Sequence, residues 1–374
     1  MNELDLMRMT FVVGIVIAAL IYQRTRLVSG GLMTGAYLAL LISSGGIGDV
    51  IGWAVISVIS LLVIKSVSYL VALPKAWLLM IAIVTSAVLH GAFVLLSGGK
   101  GGHDPVFLGA WEVVIAGGMY LTPGLTAYDL ARQGWMRTLG VLVVVTGLTL
   151  AITFAVAAAG NLAGPQMPLT NPVSQVYTDL SYPIVMMVCI ATAEAVRLAF
   201  GWGSGGIIGA VFFIELFSWE SFIVIIVLVA ITVIIKRWLE RYFTMTPRQW
   251  FQFTMVLGAL IAWVGLTAGN GMGIEAASHV NAYALEPLLA VGLIASDVAR
   301  FGTAKTIYGK VVVLAAVAIT NIMVLQGGAD AWRGVSIVAI VVLGLYYVGF
   351  MSILKGWAHA RKVGQQHPLL LPRQ

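Results

Sequence analysis

One charged phrase occurs twice in an otherwise greasy chain, as GLTAYDLARQG at 124–134 and GLIASDVARFG at 292–302. In each, an aspartate precedes an arginine by three residues, Asp129 before Arg132 and Asp297 before Arg300, which on a helix puts both groups on one face. Glu194 and Arg197 form a third such pair. Two kinds of chemistry fit this spacing. The pairs can neutralise themselves near helix C-termini, where the helix dipole also favours a cation. Alternatively, the arginines contact an anionic substrate or a partner subunit, since a guanidinium fork matches a carboxylate. Arg24, at the end of the first apolar run, joins Arg132, Arg197 and Arg300 as a candidate for that contact.

Acids also occur within or at the edges of apolar runs: Asp49, Glu112, Glu215 and Glu286. An ionisable group in hydrocarbon is costly and usually faces the protein interior, so it marks function by default. Glu215 interrupts a short run and is the candidate intramembrane acid; Glu112 and Glu286 stand closer to run ends, where an interfacial position explains them equally well. Pro123-Gly124 predicts a break or kink in a helix, freeing backbone groups that protein or a cavity must satisfy. The second phrase has Val291-Gly292 there, so Gly292 marks the same point without the proline. His90, well inside an apolar run, reads as a core imidazole rather than a metal ligand.

Other catalytic signatures are missing. SGGKGGHD at 97–104 lacks the spacing of a phosphate-binding loop. No His/Cys set has zinc-ligand spacing, no Gly-x-Ser-x-Gly elbow occurs, and no dinucleotide fingerprint follows a strand. We therefore assign no catalytic residue, metal or cofactor. The basic residues are too dispersed for a nucleic-acid patch.

The elements that must position these groups follow from composition. Of the 374 residues, 60% are hydrophobic and 10% charged, with a mean hydropathy of +1.00; soluble domains carry about 25% charge. This composition reads as an all-α integral membrane protein. Apolar runs at 9–23, 31–44, 48–68, 76–97, 110–128, 136–159, 180–198, 205–217, 219–236, 249–268, 283–299, 306–325 and 334–355 predict thirteen spans. The first is expected to be a retained span, because acidic rather than basic residues precede it. Runs 31–44 and 205–217 fall short of the roughly 20 residues a bilayer needs, and are expected to cross tilted or broken. With the N-terminus outside and the C-terminus in the cytoplasm, 18 of the 21 Lys and Arg fall on inner loops, which the positive-inside rule favours.

The two phrases match at seven of eleven positions, and a second echo keeps the order: RTRLVSGGLMTGAYLALL at 24–41 resembles RLAFGWGSGGIIGAVFFIEL at 197–216. The offsets are 168 and 175 residues, so the chain reads as two parallel six-span repeats, 8–160 and 178–328, followed by an extra helix and tail at 334–374. An even number of spans sends both copies across the membrane in the same direction. Inverted halves, common in alternating-access transporters, do not arise this way.

Gln23-Arg24-Thr25, Gly31-Leu32, Tyr37-Leu38-Ala39-Leu40, Pro123-Gly124-Leu125 and Arg132-Gln133-Gly134 together resemble the membrane subunit of poly-γ-glutamate synthase, the PgsC/CapC family. The resemblance covers most of 8–155 and extends more weakly over 185–328. It implies a bacterial inner-membrane protein that is not itself an enzyme. Its implied partners are a cytoplasmic ATP-dependent amide ligase (PgsB/CapB-like), a membrane-anchored accessory subunit (PgsA/CapA-like) and the anionic polymer. Fusion of two units departs from the family's pattern, as do Val291 for Pro123 and Phe301 for Gln133. An autonomous proton-coupled carrier of an organic anion, working through Glu215 or the Asp–Arg pairs, is the alternative; a purely structural scaffold is a third reading.

Overall fold

The computed structural model describes residues 3–43, 47–71, 73–96, 113–160, 181–203, 219–281 and 285–326. Every regular element among them is a helix. The first half holds α1 (Glu3–Thr25), α2 (Thr34–Ser43), α3 (Ile47–Leu70), α4 (Lys75–Leu96), α5 (Val113–Gln133) and α6 (Trp135–Ala159). The second holds α7 (Ser181–Phe200), α8 (Trp219–Leu239), α9 (Pro247–Gly271), α10 (Glu275–Asn281), α11 (Glu286–Phe301) and α12 (Thr303–Gln326). The expected spans 205–217 and 334–355 lie outside the described residues, as does Glu215.

Seven helices among the described residues are long and apolar enough to cross a membrane: α1, α3, α4, α6, α8, α9 and α12. Their outward faces carry Ile51, Val55 and Leu62 on α3, Val143 and Phe154 on α6, and Ile223 and Ile234 on α8, all exposed. Water would not tolerate so continuous an apolar belt, whereas lipid does. This is an all-helical membrane protein. The interior is held by close contact between small residues and by a core running from Phe11 and Ile15 through Tyr37 and Tyr120 to Met186, Cys189 and Val317. His90 is buried there edge-on to Tyr120, with ring centroids 4.4 Å apart.

Two expectations require correction. Pro123 does not break its helix: α5 runs continuously from Val113 to Gln133, and α11 passes through Gly292 without interruption. The proline removes one ladder donor, but tertiary packing on both sides holds the helix through it. Gly124 presses on the backbone of Ala82 and Ile83 in α4, while the Thr122 hydroxyl accepts from Trp53 Nε1 of α3 at 3.0 Å. Secondly, the interval between runs 249–268 and 283–299, left outside the thirteen spans, contains the short helix α10.

The short run 31–44 resolves into two parts. Its helix, α2, has ten residues and covers about 15 Å, half the hydrocarbon thickness. The stretch before it is non-helical and climbs alongside α5: Val28 sits beside Gln133, Gly31 beside Leu125, and Tyr37 beside Gly118. From position 133 to 118, α5 rises about 22 Å, so the unwound stretch and α2 together traverse most of a bilayer. Gly30 and Gly31, at φ +78° and +94°, make the bend that lets the backbone turn into α2.

The halves pack alike. In the first, α5 lies against α3 and α4, and α6 against α1; in the second, α11 lies against α8 and α9, and α12 against α7. The principal contacts between halves are α4 with α7 and α1 with α9. Matching detail recurs at the offsets read from sequence. The α5–α6 joint is Gly134 at φ 86°, ψ 162°, and 168 residues on the α11–α12 joint is Gly302 at φ 89°, ψ 156°. After α1 the chain turns left-handed at Arg26, φ 62°, and 175 residues on it does so at Gly201, φ 65°. Gly124 crosses α4 at Ile83; Gly292, 168 residues on, crosses α9 at Gly258, 175 residues beyond Ile83.

Candidate functional site

The Asp–Arg phrases end α5 and α11, and both reach one cavity. It has a volume of about 720 Å³ and opens at the end of the bundle where α5, α8 and α11 terminate and α9 begins. Asp129, Arg132, Lys236, Glu240, Arg248 and Arg300 supply its charge, and Tyr128, Trp250 and Phe251 much of its apolar wall. This is within the size range of small-molecule sites, which combine apolar walls with a few convergent polar groups.

On α5 the pair forms as the spacing predicts: Arg132 donates to Asp129 at 3.3 Å, with Asp129 buried and Arg132 partly exposed. Asp129 also accepts the backbone N–H groups of Gly30 and Gly31, so the bend before α2 is tied to the cavity wall. One residue further, Gln133 grips the same stretch from both sides of a peptide: its Oε1 accepts from Val28 N at 3.0 Å and its Nε2 donates to Val28 O at 3.3 Å. Replacing Gln133 with alanine is expected to cost about 1–2 kcal/mol through these two bonds. Thermal unfolding in lipid nanodiscs would read this as a lower midpoint, and an unchanged midpoint would deny the clamp its role.

On α11 the same spacing gives a different result. Asp129–Arg132, Glu194–Arg197 and Lys236–Glu240 are ion-paired among the described residues, and the expected Asp297–Arg300 contact is not one of these pairs. Arg300 instead lies over the ring of Phe301, 4.9 Å from its centroid, and faces the cavity. Asp297 is directed toward Gly203, its Oδ2 2.8 Å from where a Cβ on that glycine would stand.

Arg24 is exposed at the end of α1 and does not line the cavity. Arg197 is engaged with the buried Glu194, Nε to Oε2 at 3.0 Å, and also lies outside the lining. Of the four candidate arginines, then, Arg132 and Arg300 share the cavity.

Sequence reasoning missed Lys236, Glu240 and Arg248. Lys236 pairs with Glu240 while its ammonium sits 5.1 Å from the centroid of Trp250. Arg248 is in the first turn of α9, a place the helix dipole disfavours for a cation. A capping box holds that turn: Thr246 accepts from Gln249 N and the Gln249 side chain accepts from Thr246 N at 2.9 Å, with Pro247 at the first position. The Arg248 guanidinium lies 4.3 Å from the ring centroid of Tyr22 on α1. The available signal was a dense basic and aromatic stretch, Lys236 to Trp250, which the positive-inside rule alone explains.

Asp129 is ion-paired with Arg132 and Glu240 with Lys236, while Arg248, which feels the Asp129 charge at longer range, and Arg300 are in neither of these pairs. Two such groups in a largely apolar chamber suit a ligand bearing more than one carboxylate or comparable anion. The chain matches no family model, no curated protein and no solved structure.

Proposed function

We propose that the protein is the membrane subunit of a poly-γ-glutamate-type synthesis and export complex, built as a tandem duplication of a PgsC/CapC-like unit. The observation that carries this reading is the chamber framed by both halves, with Arg248 and Arg300 facing it outside the Asp129–Arg132 and Lys236–Glu240 ion pairs of the described residues. A γ-linked glutamate chain presents a carboxylate at every residue, and paired guanidiniums grip such a chain without forming covalent bonds to it. Bond formation belongs to a separate ligase that activates a carboxylate with ATP. This subunit anchors that enzyme and receives its product.

The duplication is supported by the matched glycine joints, the matched helix crossings and the reciprocal contacts. If α7 answers to α1 and α9 to α4, the α4–α7 and α1–α9 contacts are one interface made twice, as a two-fold relation requires. The proposed thirteen spans add 205–217 as the counterpart of the α2 segment and 334–355 as the final helix. In the orientation with the N-terminus outside, the chamber opens to the cytoplasm, where a ligase would deliver the growing chain.

The test is affinity purification of the tagged chain from cells that make it, with co-purifying proteins identified by mass spectrometry. The expected result is an ATP-dependent amide ligase bound in stoichiometric amount, together with an accessory membrane-anchored subunit. Uptake of a small organic anion by the purified chain alone in liposomes, with no ligase recovered, would instead establish the carrier alternative.

A further inference from the structure

Glu240 stands where local rules disfavour an acid. It directly follows the last residue of α8, with its N–H bonded to the Lys236 carbonyl, so its charge meets the negative end of the helix dipole. As the partner four residues on, it also follows its lysine, the less favourable order for such a pair. Helix stability therefore does not account for it. The chamber does: Glu240 and Lys236 both line it, and there the Glu240 carboxylate accepts from the Lys236 ammonium.

The two partners are held unequally. The Lys236 side chain is 7% exposed, and its ammonium lies 5.1 Å from the ring centroid of Trp250. The Glu240 side chain is 39% exposed, and the backbone there leaves the helix through a turn at Arg241 and Tyr242. The lysine is fixed in the wall, whereas the acid borders water and can swing out into it without disturbing α8. Its departure uncovers an ammonium in the same chamber as the guanidiniums of Arg248 and Arg300.

We propose that Glu240 is a built-in surrogate for a ligand carboxylate: it holds Lys236 until an entering polyanion exchanges one of its own carboxylates for it. This rests on the chamber being an anion site. Lys236 is then a third anchor beside Arg248 and Arg300, reached only by displacement. Exchange replaces one ion pair by another of the same kind, so the anchor selects a ligand with a carboxylate within reach of Lys236 while adding little net affinity. A site that passes a chain onward needs such a grip, favourable enough to enter and weak enough to leave.

The experiment uses the full chain in lipid nanodiscs and a water-soluble carbodiimide, which joins a carboxylate to an amine in contact with it as an amide. Peptide mass spectrometry reads what Lys236 is joined to. The protein alone should yield the Lys236–Glu240 link. At saturation a γ-linked glutamate decamer should replace that link by one between Lys236 and the decamer, while Lys305, exposed and outside the chamber, couples far less. By titration calorimetry, Glu240→Gln should bind the decamer about threefold more tightly, the worth of a partly exposed ion pair. Decamer binding with the Lys236–Glu240 link undiminished, or with Lys236 coupling no more than Lys305, overturns the inference and leaves the chamber reading standing. So does a folded Glu240→Gln that binds no tighter than wild type. The cross-link is read on wild type, so it decides even should the variant fail to fold. A decamer that binds neither protein refutes the chamber reading, and this inference with it.

Discussion

Replacing Arg248 and Arg300 together with alanine is expected to lower affinity for a γ-linked glutamate oligomer by about a hundredfold or more, and to abolish polymer export while the protein still inserts. The magnitude follows from the bonds lost. A hydrogen bond to a charged group contributes about 1.5–3 kcal/mol, and two guanidiniums together account for about 3 kcal/mol or more, each 1.4 kcal/mol being a factor of ten. Both groups stack on rings, Arg248 on Tyr22 and Arg300 on Phe301, so they are held in place before a ligand arrives. Arg24→Ala is the control: that side chain lies outside the chamber, and its loss should change affinity less than about twofold. Equal losses from Arg24→Ala and Arg300→Ala would show that general surface charge, rather than this chamber, attracts the anion. Titration calorimetry in nanodiscs, repeated at raised salt, separates the two.

Gly258→Leu and Gly292→Leu are expected to be strongly damaging, Gly258→Leu the more so. At the α9–α11 crossing two glycines face each other. A Cβ on Gly258 would stand 2.5 Å from Gly292 Cα, and one on Gly292 would stand 3.1 Å from the Met255 carbonyl oxygen. Backbone, unlike a side chain, cannot rotate away. A leucine must push the helices apart, costing about 3 kcal/mol at the upper end of ordinary overpacking. Because α11 carries Arg300 and α9 carries Arg248, the same displacement opens the chamber. Unfolding in nanodiscs should show a clear loss for Gly292→Leu and Gly258→Leu. Gly140, with nothing within 4 Å of a Cβ, should accept alanine without loss or with a small gain from helix propensity. Matching melting curves for Gly292→Leu and Gly140→Ala would contradict the proposed packing.

How much was legible beforehand depended on whether a feature is local. The run 48–68 became α3 at Ile47–Leu70, and 136–159 became α6 at Trp135–Ala159, because an unbroken apolar stretch specifies both burial in lipid and helix length. The run 31–44 read as a short crossing because hydropathy cannot see that its first part stays unwound. That part is set by Asp129 and Gln133, which hold the backbone of residues 28 to 31 across about a hundred positions of sequence. Asp129–Arg132 was legible from a spacing of three, yet the identical spacing at Asp297–Arg300 misled, because Arg300 lies over the ring of Phe301 and Asp297 is directed toward Gly203. Arg248 and Lys236 were counted only as part of a charge bias. Their meeting with Arg132 and Arg300 depends on tertiary contacts that no local pattern encodes.

The central claim, that an anionic chain enters this chamber, is open to one direct measurement. A photo-reactive amino acid is placed at Ala299, on the chamber wall, and separately at Leu148, which faces outward from α6, in cells producing the polymer. On illumination the account predicts a covalent adduct carrying glutamate polymer at position 299 and none at 148, with the adduct lost when Arg248 and Arg300 are replaced. Undiminished polymer export with no adduct at position 299, or equal labelling at both positions, would contradict it.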